Sequence, residues 1–347
     1  MRILIISILI AVLTAMPVEA LDFTAPEVPE AGEYYMPEST DSFSDGLWYI
    51  LRTGIRTIRP DIAQAGKLCM TVIAITILIS VVTNVYTPAS AISELIGVIA
   101  VSTTLLSGTN TLISLGAETI TELSQYEKLL LPVMSAAVAA QGGATTSAAL
   151  YAGTILFNTI LSTVITKFLI PFLYVYLCLS IISRGIQQNR IENLQKTSKN
   201  AAVWLLKTTL YIFTGYMTIT DVISGTTDAA TLRATKLTIS GTVPVVGNIL
   251  ADASEAVIVS AGVLKNAAGV YGLLAILAIC IGPFLSIGIH YLMLKLSAGI
   301  CEIIGGGKSA ELLKDFSTAM GLVLAMVGTQ CLLLLISTVC FMKGVGI

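Results

Sequence analysis

The sequence predicts an all-α, polytopic membrane protein with broken or re-entrant helices. Three observations carry that reading. Of the 347 residues, 55% are hydrophobic and only 12% are charged, about half the charge of a soluble domain. The mean hydropathy is +0.88, so lipid must solvate much of the exterior. The apolar stretches are also long enough to cross a bilayer, which takes about 20 residues each.

The first 20 residues, MRILIISILIAVLTAMPVEA, have the pattern of an export signal. Arg2 gives a positive start, Ile3–Ala15 an apolar stretch, and Val18 and Ala20 small residues around a cut after Ala20. An uncleaved anchor is the alternative. Residues 21–46 form an arm with Asp22, Glu27, Glu30, Glu33, Glu38, Asp41 and Asp45 and no basic residue. In either case the arm is expected outside the cytoplasm, and its Pro, Glu, Ser and Gly content predicts disorder. Residues 47–64 read as an amphipathic interfacial helix. Leu47, Ile50, Leu51, Ile55 and Ile58 would share one face, opposite Arg52, Arg56 and Arg59.

Residues 65–347 form the polytopic domain. The first expected span is 66–86, ended by Thr87-Pro88, and the second is 92–114. A polar helical piece, 116–128, precedes a short or re-entrant helix, 129–140, that ends at Gln141-Gly142-Gly143. Residues 148–184 would supply two spans that meet near Lys167–Pro171. The basic segment 184–199, with Arg184, Arg190, Lys196 and Lys199, is expected in the cytoplasm. Span 201–222 follows. The stretch 223–265 is too apolar for a loop and too broken by glycine for one span, so amphipathic or re-entrant helices are expected. Residues 266–300 would be split at Gly282-Pro283. Gly305-Gly306-Gly307 marks a turn, and 318–342 is the last span.

Two proline breaks recur at one spacing. Pro132 precedes Pro171 by 39 residues, as Pro244 precedes Pro283. We therefore read about 92–184 and about 201–300 as structural repeats, with helix breaks at Pro132, Pro171, Pro244 and Pro283. Matched broken helices also occur in transporters, so a stand-alone secondary permease for a small solute is the alternative reading. The candidates for a polar path, or for a lock between helices, are Asp228, Arg233, Lys236, Asp252, Glu255 and Lys265. Asp252 and Glu255, like Arg233 and Lys236, are three residues apart and share a helix face.

Other classes find little support. A net charge of −2 favours neither nucleic acid nor anionic lipid. His290 is the only histidine, and the six cysteines form no C-x-x-C pair. Gly307-Lys308-Ser309 lacks the first glycine of a phosphate loop, because Glu302 stands there. No catalytic, cofactor-binding or metal residues are expected.

The block TTDAATLRATKLTISGTVPVVGNILADASEAVIVSAGVLKNAAGVYGLLAI, residues 226–276, resembles the stage III sporulation protein AE family. The order of parts agrees over most of the chain. The resemblance implies a member of the AA–AH assembly in the mother-cell membrane around the forespore. With a forespore-side partner, that assembly would form a channel or secretion-like complex that sustains forespore development. It implies no catalytic residues.

Overall fold

The computed structural model describes residues 26–37, 42–85, 90–186, 189–242 and 247–343, without the side chains of 84, 90–91, 186, 189–190, 221–242 and 247–258. Every regular element among them is helical. In chain order these are a single turn α1 (Glu30–Glu33), α2 (Phe43–Thr57), α3 (Arg59–Val85), α4 (Ser90–Ala140) and α5 (Ala144–Val164). A π-helical turn (Ile165–Leu169) joins α5 to α6 (Ile170–Ile186). Then come α7 (Asn189–Thr242), α8 (Gly247–Ile303) and α9 (Gly307–Lys343).

Among the described residues, five helical segments are long and apolar enough to cross a membrane: Arg59–Thr83, Ile92–Ala140, Ala144–Gly185, Val259–Ile303 and Gly307–Lys343. The chain is a multi-pass membrane protein. Its core is the packing of α9 on α8 and of both on α4, with α3 and α5–α6 alongside and α7 against α5 and α6. Large side chains such as Leu105, Leu123, Met134, Leu150, Phe316 and Phe341 are fully buried there.

The expected proline breaks are not where the helices end. Pro132 lies inside α4, a 51-residue helix, and Pro283 inside α8, a 57-residue helix. Residues 92–114, 116–128 and 129–140 are thus one helix, and 266–300 is not split. Energetics explain the continuity. A proline in a helix costs about 3 kcal/mol, whereas a break among apolar neighbours strands several backbone groups, each at a cost of several kcal/mol. At Pro171 the chain uses another device. The π turn lies just before it, with the Ile170 N–H donating to Ile165 O, and such bulges recur where a helix absorbs an irregularity. The two spans expected in 148–184 are therefore one nearly continuous helix. Pro244 lies outside the described residues. The helix ends also miss the proline spacing: α4 stops at Ala140, eight residues past Pro132, and α7 at Thr242, two before Pro244.

Glycine sets the ends of α4 and α8. After α4, Gly142 takes φ +87°. Its N–H donates to Ala139 O at 2.9 Å, and the Gly143 N–H donates to Val138 O at 3.1 Å. After α8, Gly305 takes φ +82°. The Gly305 N–H donates to Glu302 O at 3.2 Å, and the Gly306 N–H to Cys301 O at 2.8 Å. Both are Schellman caps, in which a left-handed glycine lets the chain satisfy the last carbonyls.

At the N-terminal side, Ser42 caps α2. Its hydroxyl accepts from the Asp45 N–H at 3.2 Å and donates to the Asp45 carboxylate at 2.7 Å. Asp45 in the first turn and Arg56 in the last suit the helix dipole. The buried stripe of α2 is Gly46, Ile50 and Gly54, which differs from the expected apolar face. A Cβ on Gly46 would come within 2.6 Å of Leu274, and one on Gly54 within 2.9 Å of Ile281. The glycines thus let α2 lie directly on α8, and Ile55 is left exposed beside Arg52 and Arg56. Part of the arm that composition marked as disordered is also placed on α8, with Gly32 against Ile279 and Tyr35 against Gly282.

Candidate functional site

The helices α4 and α5–α6 run antiparallel, as do α5–α6 and α9. Their shared seam carries a ladder of polar contacts inside an otherwise apolar bundle. At one end Arg184 bridges two carboxylates of α9: Nη1 is 2.8 Å from Glu311 and Nε is 2.9 Å from Asp315. The Arg184 and Asp315 side chains are 16% and 12% exposed, and Glu311 is 55% exposed. Beside this cluster, Gln195 donates to Ser180 at 2.8 Å.

Midway along, the Gln330 amide donates to Asn158 Oδ1, and Asn158 Nδ2 donates to Ser124 at 3.4 Å. Gln330 and Asn158 are fully buried. Next, Thr154 and Ser337 exchange a hydrogen bond of 3.0 Å. The last rung joins Ser147 to Ser135, through the Ser135 carbonyl and its hydroxyl, each at 2.7 Å. Glu127 of α4 is buried within one turn of Ser124 and has one carboxylate oxygen without a hydrogen-bond partner.

Chemically this ladder aligns and joins helices. In a bilayer core it does so where water cannot compete, each bond adding about 0.6–2 kcal/mol. Nothing in it has the geometry of a nucleophile beside a base. We expect Asn158→Leu to lower stability by about 1–3 kcal/mol, because the buried Gln330 amide loses its acceptor. The double variant Asn158→Leu/Gln330→Leu should recover most of that loss. Thermal unfolding in detergent measures both, and equal midpoints for single variant and parent would refute the rung.

The residues singled out from the sequence fall elsewhere. Asp228, Arg233 and Lys236 belong to α7, and Asp252 and Glu255 to α8, but their side chains lie outside the described ones. Lys265 is described: it is buried in α8 near Gly262, which faces Gln141 in the turn after α4. No described carboxylate pairs with it. His290 is buried and its Nδ1 meets Ser286 O at 2.9 Å. The ladder itself escaped sequence reasoning, which weighed charged residues only. The missed signal was uncharged: Asn158 and Gln330 each stand alone within an apolar run.

The order of parts that suggested a sporulation protein can now be set against known sequences. The profile described as stage III sporulation protein AE matches residues 33–344. The chain belongs to the stage III sporulation protein AE family. The matched region takes in α2 to α9 and the whole ladder. A relative named stage III sporulation protein AE, from Bacillus subtilis (strain 168), is 27% identical over 303 residues. That alignment covers 85% of this chain and 75% of the relative. No solved structure matches the chain. For the stage III sporulation protein AE family, the chain thus supplies a sporulation protein built as a bundle of long membrane helices.

Proposed function

We propose that this chain is a membrane subunit of the stage III sporulation AA–AH assembly. It would act in the mother-cell membrane around the forespore, with its N-terminal arm extracytoplasmic. There it would contribute to the channel or secretion-like complex that links the two cells, together with a forespore-side partner. The observation that carries the reading is the family match over nearly the whole chain. The ladder supports a framework role. Its buried rungs tie α4, α5–α6 and α9 at four levels, which suits a fixed scaffold better than helices that must separate to alternate access.

A tagged copy, drawn from sporulating cells in mild detergent, should bring the other members of the assembly with it. Deleting the gene should arrest forespore development after engulfment. Recovery of the chain alone from such membranes, with normal spores formed in its absence, would contradict the proposal. Solute uptake by liposomes that hold only this chain would favour a permease instead.

A further inference from the structure

Two charged residues sit on the outside of the bundle. Glu118 of α4 and Lys167 of the π turn are both exposed. Among the described residues, neither belongs to an ion pair. Lys167 lies inside the span Ala144–Gly185 and Glu118 inside Ile92–Ala140. On the outer face of α5–α6, Leu156 and Ile160 are exposed on one side of Lys167, and Phe168, Phe172 and Val175 on the other. Lys167 thus stands as a single charge on an apolar outer strip of α5–α6. A lone charge among lipid-facing side chains is costly, and such charges pair or face protein.

The two residues also stand at one height. Tyr174 donates to Asn110 at 2.7 Å, and Asn158 donates to Ser124 at 3.4 Å. These contacts fix the register of antiparallel α4 and α5–α6. Glu118 lies between Asn110 and Ser124, and Lys167 lies between Tyr174 and Asn158. Interpolation leaves them within about one turn, roughly 5 Å, along the bundle axis. Identical copies arranged about an axis parallel to the bundle keep the height of every residue. An acid on one outer face and a base on another, at equal height, can therefore meet between neighbours.

The surface around Glu118 points the same way. Ser107, Thr111, Ser114, Thr121 and Gln125 are exposed along the same side of α4. Thr111 and Thr121 already donate to their own backbone, to Ser107 O at 3.2 Å and Ala117 O at 2.9 Å. Small polar side chains of this kind bring membrane helices together, and they are poorly suited to lipid tails.

We propose that copies of this chain associate side by side in the membrane, with Glu118 of one copy against Lys167 of the next. The contact is head-to-tail, so each copy offers both halves, and a rotation that closes makes a ring. The π turn places Lys167 where the helix is locally widened, on the outer face that meets the neighbour.

The test uses full-length chains with Cys178→Ser, because Cys178 is exposed on the same helix. One copy carries Glu118→Cys and one tag, and the other carries Lys167→Cys and a second tag. Both are expressed together and treated in intact membranes with a short bis-maleimide. The expected product is a cross-linked dimer that bears both tags. No such dimer, or closure only within one chain when both cysteines are on the same copy, overturns the proposal. Charge reversal gives an independent readout. Glu118→Lys and Lys167→Glu should each reduce detergent-extracted oligomers at least about tenfold, and the double reversal should restore them. Oligomers unchanged in the single variants, or not restored in the double, also overturn it. Co-purification with other assembly members is scored separately, so failure of the self-contact is distinct from failure of the assembly reading.

Discussion

Replacing Arg184 by alanine should destabilise the bundle by about 3–5 kcal/mol, the cost of leaving a buried charge without its partner. The two arms of this guanidinium are not equal. Glu311 is more than half exposed, and an ion pair to such a group is worth at most about 1 kcal/mol. Asp315 is only 12% exposed and lies 2.9 Å from Nε, so nearly all the effect falls on that contact. Arg184→Lys keeps the charge but loses the fork that reaches both carboxylates, and should give an intermediate value. Arg184→Met/Asp315→Leu removes both buried charges and should regain most of the loss. Unfolding midpoints in detergent and steady-state protein level measure the series. An Arg184→Ala protein as stable as its parent would refute this account of the ladder's end.

Gly153→Leu should be the most damaging change at the seam of α5 and α7. A Cβ on Gly153 would fall inside the edge of the Tyr216 ring. That ring is held by its hydroxyl, which donates to Ala149 O at 3.0 Å. It also packs on Phe157 at 5.6 Å, and Phe157 packs on Phe213 at 5.5 Å. Displacing the ring loses a hydrogen bond worth about 1 kcal/mol and adds about 1–3 kcal/mol of overpacking. Even Gly153→Ala should destabilise, because the gain of about 1 kcal/mol in helix propensity is smaller than that loss. Shortening the obstacle is the control: Gly153→Ala/Tyr216→Ala should be more stable than Gly153→Ala/Tyr216→Phe, which keeps the ring. Midpoints in the reverse order would show that the ring is not what the glycine accommodates.

The membrane class was legible because hydropathy acts over whole segments, whatever the details of packing. The turns at Gly142 and Gly305 were legible as well, since a left-handed residue at a helix end has few alternatives to glycine. Pro132 and Pro283 were misread for a physical reason. A proline removes one hydrogen bond, which ends a helix in water but not one whose neighbours offer the freed groups nothing better. The face of α2 was misjudged because its seam is made by Gly46 and Gly54, which count for little on a hydropathy scale yet permit the closest approach. Arg184 read as part of a basic cytoplasmic segment, and only the antiparallel packing of α6 on α9 shows that it turns inward to Asp315. The rungs at Asn158 and Gln330 pair residues 172 positions apart, a relation that no local pattern encodes.

The length of α8 has a mechanical consequence. Its 57 residues span about 85 Å, nearly three times the roughly 30 Å of hydrocarbon, so α8 is far longer than an upright crossing needs. With the pivot at one end, a tilt of about 10° carries the other end through roughly 15 Å. Because α8 packs on α9, α4, α3 and α2, such a tilt would carry those helices with it.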